Sequence, residues 1–108
     1  GDAVLSLSTD HARVGEDVGL HVTLRSTATA PQPLVVDYAV HHVRANGSTS
    51  PKVFKGWKLV LEPGATRTLD KRHSLRPVTT RQLYPGPHRI DLQINGHLCA
   101  SATFELLP

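Results

Sequence analysis

Apolar residues in this chain recur at every second position, and proline or glycine breaks every window long enough for three turns of helix. That pattern excludes an amphipathic helix and calls for strands. Val18, Leu20, Val22 and Leu24 alternate with Gly19, His21, Thr23 and Arg25, as expected of a strand that buries one face. Val4 to Ser8 reads as a shorter strand before it. Leu34 to Val43 is apolar at both parities near its start, which predicts a central strand covered on both sides there and leaving the core at His41-His42. Val53 to Leu61, the turn Glu62-Pro63-Gly64 and Thr66 to Leu75 read as a hairpin, with Gly56 placed where a bulge could switch faces. His88 to Gln93 and Leu98 to Leu107 complete the set. Seven strands punctuated by turns about every 8–12 residues fit an all-β, immunoglobulin-like antiparallel sandwich.

Register in the last hairpin decides which side chains share a face. A two-residue Asn95-Gly96 turn sets Leu92 opposite Cys99, whereas a three-residue loop ending at Gly96 sets Leu92 opposite Leu98 and Ile90 opposite Ala100. The second register is preferred, because it gathers Ile90, Leu92, Leu98, Ala100, Ala102, Phe104 and Leu106 on one face.

Length bounds the answer next. With 108 residues the chain reads as one immunoglobulin-like domain over residues 1–108, large enough to bury roughly two-thirds of its unfolded surface without a staple. Cys99 is the lone cysteine and cannot form an internal disulfide, so it fits a reducing compartment or a buried thiol, inert in a strand interior. No apolar run approaches the roughly 20 residues that span a bilayer. The chain starts at Gly1 and has no methionine, which reads as a module excised from a longer protein.

Charge is unevenly spread. Nine of the twelve Lys and Arg residues lie between Arg44 and Arg81 with only Glu62 and Asp70 as acids, so nine cations less two acids leave +7 there. The other residues hold three cations against seven acids, or −4, and the two parts give the net +3. A block of positive potential attracts polyanions, nucleic acid first among them, although a merely solvated basic face has the same composition. Folding the expected hairpin about Pro63-Gly64 brings Lys55 near Arg72 or His73 and Lys52 near Arg76, with Arg44 and Arg81 entering from neighbouring loops. Ser48, Thr49, Ser50, Ser74, Thr79 and Thr80 offer hydroxyl donors, and Asn46-Gly47 makes a slim tip or a plain turn. The candidate DNA-binding residues are therefore Arg44, Asn46, Lys52, Lys55, Arg72, Arg76, Thr79, Thr80 and Arg81.

Catalytic chemistry finds no foothold. His41 and His42 point to opposite faces of a strand, and His11, His21, His73, His88 and His97 lack ligand spacing, so no metal, cofactor or catalytic residue is assigned. Asp37, Asp70 and Asp91 stand on separate strands without evident partners. Trp57 reads as core, and five aromatic residues in all are too few for a single-strand stacking platform or a carbohydrate module.

The run Val36-Asp37-Tyr38-Ala39-Val40-His41-His42-Val43-Arg44-Ala45-Asn46-Gly47 and the segment Ser50-Pro51-Lys52-Val53-Phe54-Lys55 carry a family likeness. So do Lys71-Arg72-His73-Ser74-Leu75-Arg76-Pro77, Thr79-Thr80-Arg81 and Tyr84-Pro85-Gly86. Together they resemble the C-terminal immunoglobulin-like domain of bacterial DNA alkylation repair proteins of the AlkC type. The resemblance covers most of residues 34–107. It implies a parent glycosylase that removes alkylated bases in base-excision repair, with its catalysis in HEAT-like helical repeats absent from these residues. This domain would then be a non-catalytic, monomeric DNA grip, cytoplasmic and nucleoid-associated. Its partners would be the backbone of double-stranded DNA and the HEAT-like repeat domain of the same parent chain, with no membrane contact. The alternative is a spacer or protein-interaction module without DNA contact.

Overall fold

The computed structural model describes residues 2–46, 48–77 and 83–108. Among them run β1 (Asp2–Leu7), β2 (His11–Arg13), β3 (Asp17–Arg25), β4 (Gln32–Val43), β5 (Thr49–Leu61), β6 (Thr66–Ser74), β7 (Gly86–Ile94) and β8 (His97–Leu107). One sheet has the order β1-β3-β6, the other β2-β8-β7-β4-β5. This is the all-β, immunoglobulin-like sandwich that the alternation predicts. Only β2 escapes the pattern, since three residues paired in parallel with the end of β8 carry no periodicity of their own.

Alternation works as expected in β3, where Val18, Leu20, Val22 and Leu24 are each at most 1% exposed. Burying side chains of this kind contributes roughly 1.5–3 kcal/mol apiece before entropy is counted. They pack against Val36, Tyr38, Val40, Ile90, Leu92, Phe104 and Leu106 from the opposite sheet. The strand β4 reverses its expected order. Its start alternates, with Val35 exposed, while Tyr38, Ala39, Val40, His42 and Val43 are all buried, so the doubly covered part is the far end and His42 stays inside.

The expected β5–β6 hairpin does not form. β5 pairs with β4 and β6 pairs with β3, so Glu62–Ala65 carries the chain from one sheet to the other, closed by the Ala65 N–H bond to the Glu62 carbonyl. A four-residue turn satisfies either geometry, and only the pairing of the whole strand decides. Proximity across the sandwich nevertheless survives: the Phe54 and His73 rings lie 4.9 Å apart, and Lys71 Nζ donates to the Lys55 carbonyl at 3.3 Å. The bulge at Gly56 is where the sequence puts it, with the β4–β5 register shifting between Val36 and Asp37.

The last hairpin follows neither expected register throughout. Asn95 and Gly96 form a two-residue turn with φ of 50° and 82°, and Ile94 pairs with His97. A bulge beside Leu92 then sets Leu92 opposite Ala100 and Ile90 opposite Ala102. The shared apolar face is kept, except that Leu98 turns out to solvent at 63% exposure. Cys99 is also exposed rather than buried, because the bulge takes it out of the inward row.

Candidate nucleic-acid interface

β5 and β6 are edge strands of different sheets, so their cations wrap around one long side of the sandwich instead of sharing a face. Lys55 pairs with Asp37 and Lys58 with Val35, placing both on the outer face of the five-stranded sheet. Arg72 pairs with Gly19, on the outer face of the three-stranded sheet. There it borders a groove of about 470 Å³ together with Ser6, Ser8, His21 and Asp70. Lys55 and Arg72, expected as neighbours, therefore point away from each other. Lys71 bridges the open side, its ammonium 6.0 Å from the centroid of the half-buried Trp57 ring.

Lys52 and Arg76 do come together. Both line a notch of about 470 Å³ at the end of the sandwich away from Pro63, over Phe54, Leu75 and Leu83. Lys52 Nζ stands 5.5 Å from the centre of the Phe54 ring, and the Arg76 N–H is held by the Ser74 hydroxyl at 3.2 Å. Ser74 itself lines the notch, as do His42 and His73. Beneath them Tyr38 stacks on Phe54 with centroids 5.3 Å apart, and Tyr38 Oη lies 3.2 Å from His73 Nδ1. Burial pushes the Tyr38 pKa up, so the phenol stays neutral.

Arg44 is exposed at the start of the β4–β5 loop, where its N–H donates to the Ser48 carbonyl at 2.7 Å. Asn46 Oδ1 accepts from the Ser48 N–H and hydroxyl, so this side chain caps its own turn. Thr79, Thr80 and Arg81 lie outside the described residues.

Two carboxylates expected to stand alone are paired. Asp70 accepts from His21 Nδ1 at 2.6 Å, across β3 and β6. Asp91 sits nearly buried on the outer face of the five-stranded sheet, accepting from His41 Nε2 at 2.7 Å, Ser101 Oγ at 2.7 Å and Arg89 Nε at 3.0 Å. Burial raises the Asp91 pKa, but the bonds from Ser101 and His41 and the charge on Arg89 outweigh it and hold the group below its ordinary range. Sequence spacing hides such pairs, because cross-strand register creates them. Among the described residues no group of three or more His, Cys, Asp or Glu is placed to hold a metal ion. No helix among them is long and apolar enough to cross a membrane.

Known proteins agree with the fold and extend it. The chain overlays a chain of the Pseudomonas fluorescens alkylpurine DNA glycosylase AlkC, a structure bound to DNA containing an abasic-site analogue, with TM-score 0.96 and 39% identity. The overlay covers 99% of this chain and 30% of that one. A β-glucosidase from Listeria innocua matches with TM-score 0.76 over 97% of this chain and 16% of its own, and at 16% identity it shares the fold alone. In sequence, the uncharacterized protein YhaZ of Bacillus subtilis (strain 168) is 31% identical over 75 residues, 69% of this chain. The chain spans about a fifth of that relative's length, 21%. A family model described as the C-terminal Ig-like domain of the uncharacterised protein YhaZ matches residues 2–108, and the chain belongs to that family.

Proposed function

We propose that this chain is the accessory, non-catalytic domain of an AlkC-type glycosylase, and that it grips duplex DNA by its phosphates. The observation that carries the reading is the notch where Lys52 and Arg76 meet beside the Ser74 hydroxyl, on the side that Lys55, Lys71 and Arg72 surround with positive charge. Cations and hydroxyls of this kind position a protein on the backbone without reading sequence. The 39% identity to a glycosylase bound to DNA supports the choice of polyanion. In this reading the HEAT-like repeat domain of the parent performs base excision, and the chain is one module of that longer protein.

Charge reversal tests it. Lys52→Glu with Arg76→Glu, both exposed, leaves the fold intact and removes two phosphate contacts, so the slope of log affinity against log salt becomes shallower by about 2. Duplex affinity at low salt then falls at least about tenfold. Unchanged affinity would sink the proposal.

A docking role without DNA contact has one observation of its own. Val35, Val53 and Val60 are exposed on the outer face of the five-stranded sheet, beside Lys55 and Lys58. Under that reading the double reversal leaves DNA affinity immeasurably weak both before and after substitution.

A further inference from the structure

The notch combines fixed cations with titratable rings. His42 from β4 and His73 from β6 line it beside Lys52 and Arg76, and their ring centroids are 6.5 Å apart. Both histidines are buried, at 7% and 6% exposure. Behind them His88 from β7 packs edge-on against His42 at 5.9 Å, and the neutral Tyr38 phenol reaches His73. Among the described residues, the charged and titratable groups seen around the pair include Lys52 on β5 and Arg76 beyond β6 in the notch lining, His88 on β7 and Tyr38 on β4. Glu105 acts on His88, and no carboxylate is among the described residues that line the notch.

This arrangement has an electrostatic consequence. Burial and two nearby cations oppose a third positive charge on either imidazole while the notch holds no anion. An anion seated between Lys52 and Arg76 reverses the balance, since it stands against the same two rings and favours their protonated form. Binding and protonation are then linked, and each must strengthen the other.

We propose that the notch is a phosphodiester site in which His42 or His73 takes up a proton from solvent as the phosphate enters, so that the grip on DNA tightens as pH falls. The inference rests on the reading of duplex DNA as partner, and adds that affinity is proton-linked through these two residues. Histidine is the side chain suited to this, because its ordinary titration lies near neutrality. Exposed cations alone, being fully protonated throughout, produce salt dependence but no such pH dependence.

The test measures affinity of the unsubstituted chain for an unmodified DNA duplex by fluorescence anisotropy, between about pH 8 and about pH 6 at fixed ionic strength. Uptake of one proton predicts up to about tenfold tighter binding per pH unit. His42→Gln and His73→Gln flatten that dependence, whereas His97→Gln, at the exposed β7–β8 turn, keeps it. Because a buried substitution can unfold the chain, NMR titration of the His42 and His73 rings in the unsubstituted chain supplies the second readout. One of the two must titrate at higher pH with duplex present than without. Salt-dependent binding with no pH slope, or ring titrations that duplex leaves unmoved, overturns the proton linkage while leaving the DNA reading intact. No binding at any pH overturns both.

Discussion

Replacing Gly56 by alanine tests the bulge that sets where the β5 cations point. An added Cβ would lie 2.6 Å from the Val36 carbonyl oxygen and 3.5 Å from its carbon, both backbone atoms of the central strand β4. Restoring ordinary contact near 3.4 Å requires the two strands to part by about 0.8 Å at that point. No flexible side chain can give way instead. Overpacking of this kind costs roughly 1–3 kcal/mol, and the stiffer unfolded chain of alanine returns about 0.4–1 kcal/mol. At the middle of both ranges the net loss is roughly 1.3 kcal/mol, or a fall of about 5–10 °C in Tm for a domain of this size. Thermal and urea melts followed by Trp57 fluorescence, one residue from the substitution, measure it directly. A melting point unchanged or raised by Gly56→Ala would refute the close approach on which the bulge depends.

Two further predictions concern protons. His88 donates from Nδ1 to the Gly86 carbonyl at 3.0 Å, and its Nε2 is buried without a hydrogen-bond partner among the described residues. Burial lowers its pKa below the usual 6.5, against the opposing pull of the Gly86 bond and Glu105. The unfolded chain therefore binds more protons once pH drops below about 6.5, and stability falls with pH from there. Urea midpoints at about pH 7.5 and about pH 5.5 should show this fall, and His88→Phe, which keeps the stacking on Phe104, should shrink it. Asp91→Asn keeps the shape but removes the charge that three donors hold, for a loss of about 1–3 kcal/mol at neutral pH. Since its native pKa is lowered, the wild-type advantage should vanish as pH drops through the carboxylate range, and a difference that persists there would contradict the assignment.

Much of the fold is legible in the sequence, because a buried face leaves a period of two. The rows from Val18 to Leu24 and from Ala100 to Leu106 are read correctly without coordinates, and so is the Gly56 bulge. What fails is long-range pairing. The turn at Pro63-Gly64 connects strands that belong to different sheets, and nothing local distinguishes this from a hairpin. The candidate site inherits that error: Lys52 and Arg76 meet as expected, while Lys55 and Arg72 diverge around the edge. The bulge at Cys99 likewise follows from the strong preference of Asn-Gly for a two-residue turn, combined with a core that demands the opposite parity one residue later. The histidine cluster was invisible for a related reason. His42, His73 and His88 come from three strands in two sheets, and only the packed sandwich joins them.

The phosphate-grip account is tested most directly by a salt titration of the unsubstituted chain with a fluorescent, unmodified duplex. Contacts to three or four phosphates predict weak binding whose log affinity falls against log salt with a slope of roughly −3 to −4. A flat response, or no binding even at low salt, would contradict the account and leave the basic edge as a solvated or docking surface.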